Sequence, residues 1–132
     1  MFIADSYIPG NSVTDEARKW NLMMDLWTEE ELPSPYQELI TYDNEVNNGG
    51  HAQYFFNTDD CQDIKTEIET ILPALPELLR ENLMQGFKAF LALDDIIYDP
   101  ENEVFSQCDD VFYDNEDLLI EILKQYADTF AL

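Results

Sequence analysis

Apolar residues recur at helical spacing along most of the chain, and this pattern predicts a series of amphipathic helices. The clearest case is the segment of about residues 116–130, where six apolar positions fall on one side: Leu118, Leu119, Ile122, Leu123, Tyr126 and Phe130. A similar stripe predicts a first helix over about 14–30, with Thr14 as its N-cap. Between them, the spacing and the turn residues predict further helices over about 35–48, 51–57, 61–72, 76–93 and 104–112.

No pair of segments alternates apolar and polar residues as β-strands do, and no internal repeat or low-complexity linker divides the chain. The sequence therefore predicts an all-α, single-domain protein, with six or seven helices in a bundle-like packing over residues 13–132. Residues 1–12 are predicted to form an N-terminal arm, because Pro9, Gly10 and Asn11 interrupt any helical pattern there.

With 45% hydrophobic residues, the 132-residue chain has enough apolar side chains for a packed core. The first residues lack the basic and apolar regions of a signal peptide, and no stretch has the roughly 18 apolar residues of a membrane span. Cys61 and Cys108 lie far apart and form no CxxC pair, which favours two free thiols. These features together predict a soluble, cytoplasmic protein with no membrane partner.

Charge is the unusual property of this sequence, because 29 acidic residues against 6 basic ones give a formal net charge of −23. Such an excess repels itself and destabilises the compact state, so we expect a role for it beyond solubility. It also argues against a direct nucleic-acid partner, because binding to phosphates needs positive charge. The favoured partners are basic proteins, and cations or a salt-rich habitat are the alternatives.

Residues suited to catalysis or metal binding are sparse. His51 is the only histidine and stands beside a Gly-Gly pair, where a capping or packing role is the usual one. Asp99, Glu101 and Glu103 have the alternate spacing of a calcium loop, but Val104 takes the place where that loop needs glycine. No nucleophile elbow, phosphate-binding glycine loop or HExxH motif is present. We therefore expect no enzymatic activity, no cofactor and no built metal site.

One stretch is dense in glycine, amides and aromatic residues, and it lies between two predicted helices. We expect its two glycines to join these helices, with one of them in the left-handed conformation. Structural roles are favoured for the other members: the amides would satisfy buried backbone groups, and the rings would fill the core. The alternative is that the amides and the tyrosine line a small pocket. The residues concerned are Asn48, Gly49, Gly50, Gln53, Tyr54, Phe55 and Asn57.

This stretch resembles the signature of a family of small acidic bacterial proteins, which is known through a DNA mimic protein. The shared pattern is approximately Asn-Gly-Gly-x-x-Gln-Tyr-Phe-x-Asn, and the resemblance extends from about Val13 to Phe130. It implies a similar order of helices and a DNA-mimicking role against a DNA-binding regulator. It also implies dimerisation, for which an apolar face containing Trp20 and Trp27 would serve.

The leading interpretation is a non-enzymatic acidic protein that mimics DNA and blocks the nucleic-acid-binding surface of a basic protein, such as a transcription regulator. The expected phosphate imitators are carboxylates of the C-terminal third, where acids accompany amphipathic helices rather than a tail. They are Asp94, Asp95, Asp99, Glu101, Glu103, Asp109, Asp110, Asp114, Glu116 and Asp117. Glu29, Glu30 and Glu31 are second choices, because acids at a helix C-terminus are locally unfavourable.

Two other classes of protein remain open at this point. An immunity- or antitoxin-type protein would neutralise a basic partner without imitating DNA, so DNA would not compete for that partner. A small-molecule or metal-dependent enzyme would need an ordered pocket at Gly49, Gly50 and His51.

Overall fold

The computed structural model describes residues 14–61, 63–93 and 102–131. Within these ranges the chain forms five α-helices and one 3-10 turn and contains no β-strand, which confirms the all-α class. The predicted number of six or seven helices is wrong, because two pairs of predicted helices are joined. The helices are α1 (Asp15–Thr28), α2 (Tyr36–Cys61), α3 (Ile64–Ile71), α4 (Glu77–Leu91) and α5 (Glu103–Ala127), and the 3-10 turn is Leu72–Ala74.

Helix α2 unites the predicted second and third helices across a kink at the Gly-Gly pair. Gly49 has an extended φ of −154°, whereas Gly50 has φ 77° and ψ −176°. This combination of positive φ and extended ψ is open almost only to glycine. Gly50 therefore bends α2 instead of closing a helix in the left-handed conformation that we expected. A Cβ on Gly50 would collide with the carboxylate of Asp109, so the kink also lies directly against α5.

Helix α5 is continuous over 25 residues and unites the two segments predicted at about 104–112 and 116–130. Asn102 caps its first turn by accepting a hydrogen bond from the backbone N–H of Phe105 at 3.1 Å. Tyr113 and Asp114, between the predicted segments, are exposed and continue the helical period. No glycine or proline occurs between residues 103 and 127, so nothing in this stretch breaks the helix.

Helix α5 lies against α1, α2 and α4. It runs antiparallel to α2, because its end contacts the start of α2 and its middle contacts the residues before the kink. At one end of this pair, the rings of Tyr36 and Tyr126 stack with centroids 3.7 Å apart. At the other end, the hydroxyl of Tyr113 donates to the backbone carbonyl of Val46 at 2.8 Å. The core between the helices is rich in aromatic rings, and its largest fully buried side chains include Tyr42, Tyr54, Phe55, Phe105 and Phe112.

The two tryptophans of α1 do not form the exposed apolar face that we expected for a dimer. Trp20 is only 5% exposed and belongs to the core. Trp27 is partly buried, and its indole N–H donates to the hydroxyl of Thr41 at 3.0 Å. In the described ranges, no helix combines the length and the apolar character needed to cross a membrane.

Candidate protein-binding surface on helix α5

The solvent-facing side of α5 carries a row of carboxylates. Its members are spaced three, four or seven residues apart and are all exposed, so they lie along one side of the helix. We call this row the acidic stripe, and it consists of Glu103, Asp110, Asp114, Asp117 and Glu121. The last four members span about 16 Å at 1.5 Å per residue, which corresponds to about one carboxylate per 5–6 Å.

The positive side chains in the described residues leave this stripe unneutralised. The only ion pair between a carboxylate and a lysine or arginine there joins Arg18 to Asp15, at 3.3 Å. Lys19 donates to the backbone carbonyl of Asp128, and Arg80 donates to two backbone carbonyls. The stripe therefore presents its negative charge to solvent and to an approaching partner.

Asp109, which we predicted to belong to the binding surface, points inward instead. Its Oδ1 accepts hydrogen bonds from both the backbone N–H and the ring Nδ1 of His51, each at 2.7 Å. Its side chain is 22% exposed and that of His51 is fully buried. The carboxylate of Asp109 thus fastens α5 to the kink of α2, and its lone pairs on this side are already used.

His51 continues this contact into a buried hydrogen-bonded chain. Its Nε2 lies 2.7 Å from the hydroxyl of Tyr42. Because Asp109 accepts from Nδ1, the neutral ring carries its proton there and Nε2 accepts from Tyr42. Burial, and secondarily the nearby Cys108 and Asp109, raise the pKa of Tyr42 well above its ordinary value of 10.0. The rings of Phe55 and Phe112 pack around His51, so the group is part of the core, as expected for a packing histidine.

Glu116 is a second predicted surface acid that contacts α2. Its Oε2 accepts from the amide of Asn47 at 2.7 Å. It also neighbours Asp43, which is 9% exposed. Burial, together with the hydrogen-bonding and charged carboxyl of Glu116, raises the pKa of Asp43 to about 8. Sequence reasoning did not single out Asp43, because an isolated aspartate within an amphipathic helix carries no signal of burial.

The predicted structural signature around the kink is partly as expected. Phe55 fills the core and stacks on Phe90 with centroids 5.4 Å apart. Tyr54 is buried, and its hydroxyl donates to Oε2 of Glu67 at 2.7 Å. Asn48, in contrast, is exposed.

The two amides of the signature have a different role from the predicted one. Gln53 and Asn57 both donate to Oε2 of Glu45, at 3.1 and 2.8 Å. They therefore do not satisfy buried backbone groups. Instead they bridge the two halves of α2 across the kink, with Glu45 on one side and both amides on the other.

The remaining predicted acids lie in the α1–α2 turn or outside the described residues. Glu29, Glu30 and Glu31 are exposed in the turn after α1, where Glu29 is the C-cap and Glu30 has a positive φ of 57°. Four further predicted surface acids lie outside the described residues, as does the N-terminal arm: Asp94, Asp95, Asp99 and Glu101. In the part of the chain that the structure describes, no group of three or more potential ligands could hold a metal ion.

These features define an acidic, all-helical protein in which a charged helix face covers a hydrogen-bonded aromatic core. A family model matches residues 30–129, and the chain belongs to the DMP19-like protein family that this model describes. The match extends from the turn after α1 beyond the end of α5 and so includes the kink and the acidic stripe. No match was found among curated proteins or among solved structures.

Proposed function

We propose that this protein is a non-enzymatic DNA mimic that binds the nucleic-acid-binding surface of a basic protein and blocks DNA binding. The observation that carries the proposal is the acidic stripe, an unpaired row of exposed carboxylates on a rigid helix. A basic groove shaped for DNA is attracted by the same long-range field, and an occupied groove cannot bind DNA. Membership of the DMP19-like family supports the same role, since the family is known through a DNA mimic.

The stripe alone is less dense in charge than DNA. Duplex DNA has one negative charge per roughly 1.7 Å of axis, whereas the stripe has about one per 5–6 Å. Other exposed acids must therefore contribute to the field, and the total charge of −23 supplies many of them. In this proposal the stripe sets the orientation of docking, and the total charge sets the rate of encounter.

The buried surroundings of His51 support a non-enzymatic role. Its ring is fully buried, and both of its nitrogens are engaged by Asp109 and Tyr42. Catalysis by the Tyr42 hydroxyl would require a lowered pKa, and burial raises it. A cytoplasmic location, a single domain and a transcription regulator as the partner belong to the same proposal.

The test is capture of a partner from host lysate, followed by a binding assay with purified proteins and duplex DNA as competitor. A stripe variant would neutralise Asp110, Asp114, Asp117 and Glu121 to Asn or Gln. A control variant of equal net charge would neutralise four exposed acids elsewhere: Asp25, Asp59, Glu69 and Glu81. We expect the stripe variant to lose about 100-fold or more in affinity and the control to lose only a few-fold, because docked charges count more than distant ones.

Three outcomes would contradict parts of this proposal. Equal losses in both variants would mean that only the net charge matters. Full capture by the stripe variant would remove the stripe from the interface. A partner that has no affinity for DNA, or that DNA cannot displace, would favour the immunity-type alternative.

A further inference from the structure

A cavity of about 530 Å³ lies between α1, α2 and α5, away from the acidic stripe. Two of its lining side chains are more than nine-tenths buried and hold a polar atom without a hydrogen-bond partner: Trp20 at Nε1 and Asp43 at Oδ1. Buried polar groups are almost always satisfied, so the unpaired acceptor Oδ1 of Asp43 indicates a missing donor at this cavity. The indole N–H of Trp20 is itself a donor, so it marks the cavity wall and is not part of the argument for a cationic head.

The lining divides into a carboxyl end and an apolar end. Asp43, Asn47 and Glu116 form the first, and their side chains offer mainly acceptor oxygens. Apolar side chains from all three helices form the wall beyond it: Met24, Ile40, Ile120 and Leu123. Helices α2 and α5 are antiparallel, so residues close to the kink on α2 face residues in the middle of α5. The three residues of the carboxyl end therefore lie together at one end of the cavity.

The charges of the lining favour a cation at the carboxyl end. Asp43 is buried, Glu116 is half-buried, and the two carboxyls are hydrogen-bonded neighbours. Both can carry a negative charge only when a cation lies beside them; otherwise they share a proton. Among the described residues of the lining, Lys124 is the one basic residue, and it lies eight residues beyond Glu116 on α5. That separation is about 12 Å along the helix, so its ammonium group does not occupy the same place. The lining residues of α1, Trp20 and Met24, are not titratable.

We propose that this cavity binds a small organic cation, an alkylamine or alkylguanidine, with its charged head at Asp43 and Glu116 and its apolar body along Met24, Ile120 and Leu123. A guanidinium or ammonium group has only donors and matches the acceptor-rich end. The volume lies within the usual range for small-molecule pockets. A bare metal ion fits less well, since the described residues hold no group of three potential metal ligands.

Binding of this ligand is coupled to a proton. In the free protein, burial and Glu116 hold the pKa of Asp43 at about 8, so its carboxyl is protonated at neutral pH. A cation beside it stabilises the carboxylate, and the proton is released to solvent when the ligand binds. Affinity therefore rises as the pH increases toward 8 and levels off above that value.

The first experiment is calorimetric titration of the full chain with n-pentylguanidinium at pH 6 and pH 8, in two buffers with different heats of ionisation. We expect about 50-fold tighter binding at pH 8, as an estimate for one linked proton with a pKa near 8. We also expect release of close to one proton per ligand below pH 7. The indole N–H resonance of Trp20 should shift in the NMR spectrum, while that of Trp27 stays in place.

Variants separate a built site from general attraction to an acidic protein. Asp43→Asn should weaken binding at least tenfold at pH 8 and remove its pH dependence. Glu116→Gln should also weaken it, which covers the case in which Asp43→Asn folds poorly. Asp25→Asn is the matched control, since this exposed residue of α1 does not line the cavity. Neutral 1-hexanol should bind far more weakly than the guanidinium.

Two results would overturn the proposal. Equal weakening by Asp25→Asn and Asp43→Asn would reduce the effect to counterion attraction. No binding at either pH would mean that the cavity is not a site for organic cations. The site does not depend on the proposed DNA mimicry, because none of these variants alters the acidic stripe and each can be tested for partner capture separately.

Discussion

Two adjacent aspartates on α5 have opposite surroundings. Asp109 is mostly buried and accepts two hydrogen bonds from His51, whereas Asp110 is exposed and belongs to the acidic stripe. The same contrast recurs two turns later, where Glu116 contacts Asn47 and Asp117 faces solvent. Consecutive residues of a helix are about 100° apart, so the two acids of a pair can lie on different faces, as they do here.

The contrast divides the acids of α5 into two groups with different surroundings. The inward acids connect α5 to α2, near the kink and along the cavity. The outward acids make no comparable contacts, and in the proposed function they are the acids that meet a partner. Net charge alone does not distinguish these groups, and each group predicts a different response to mutation.

The largest loss of stability should come from Gly50→Ala, which disrupts the contact between the kink of α2 and Asp109. The new Cβ would collide with the carboxylate of Asp109, and alanine disfavours the φ of 77°. We expect a loss of about 3 kcal/mol or more in the free energy of unfolding, from backbone strain and the displaced hydrogen bonds. Urea denaturation followed by circular dichroism measures it, and a loss below about 1 kcal/mol would mean that the kink is adaptable.

The next largest effect should be the difference in stability between Asp109→Ala and Asp110→Ala. Removal of the Asp109 carboxylate leaves the backbone N–H and Nδ1–H of the buried His51 without an acceptor. We expect a loss of about 2–3 kcal/mol for Asp109→Ala, and a change within about 0.5 kcal/mol for Asp110→Ala. In a binding assay with folded protein, the order should reverse, so that Asp110→Ala loses more partner affinity than Asp109→Ala. Similar stability losses in both variants would contradict the division between faces.

Much of this architecture could be predicted from the sequence. Helical periodicity gave the all-α class, and the Gly-Gly pair gave the position of the kink. Periodicity did not reveal that the two C-terminal segments form one helix, because local polar residues at 113–115 resemble a break. The doublet Asp109-Asp110 did not show which of its members turns inward, because consecutive residues of an amphipathic helix can both face solvent, as Tyr113 and Asp114 do.

The partners of the inward acids could not be predicted. Asp109 meets His51 across 58 residues of sequence, and Glu116 meets Asn47 across 69. Such pairings depend on how α5 docks on α2, and helix docking follows from the whole packed core. The unpaired atoms of Trp20 and Asp43 are likewise visible only once three helices are assembled.

A smaller, pH-dependent effect concerns Asp43. Its pKa of about 8 in the folded protein lies above its ordinary value of 3.8, so the folded state retains a proton that the unfolded state releases between these values. Stability therefore falls as pH rises from about 4 to about 8. Asp43→Asn removes this cost, and we expect it to gain at least about 1.4 kcal/mol on the wild type between pH 5 and pH 8. Thermal denaturation at both pH values measures it, and a difference that does not change with pH would contradict the buried acid pair. Burial also raises the pKa of Glu67, so the variant should retain part of the pH dependence.

The smallest change in stability is expected for Asp114→Asn, which should stabilise the protein and yet weaken its binding to a partner. Asp114 lies four residues from Asp110 and three from Asp117, so it takes part in two like-charge repulsions along the stripe. Each such pair costs a helix about 0.2–0.5 kcal/mol at low salt, and Asp114→Asn should therefore stabilise the protein by a few tenths of a kcal/mol. The gain should vanish in 1 M salt, where charges are screened within about 3 Å.

Exposed Asp25, on α1, provides the control substitution Asp25→Asn, which should leave partner affinity close to that of the wild type. A variant that is more stable yet binds its partner less tightly would show that the acid is kept for recognition at the expense of stability. If Asp114→Asn instead destabilised the protein, the outward face would have a structural role, and its contrast with the inward acids would no longer hold.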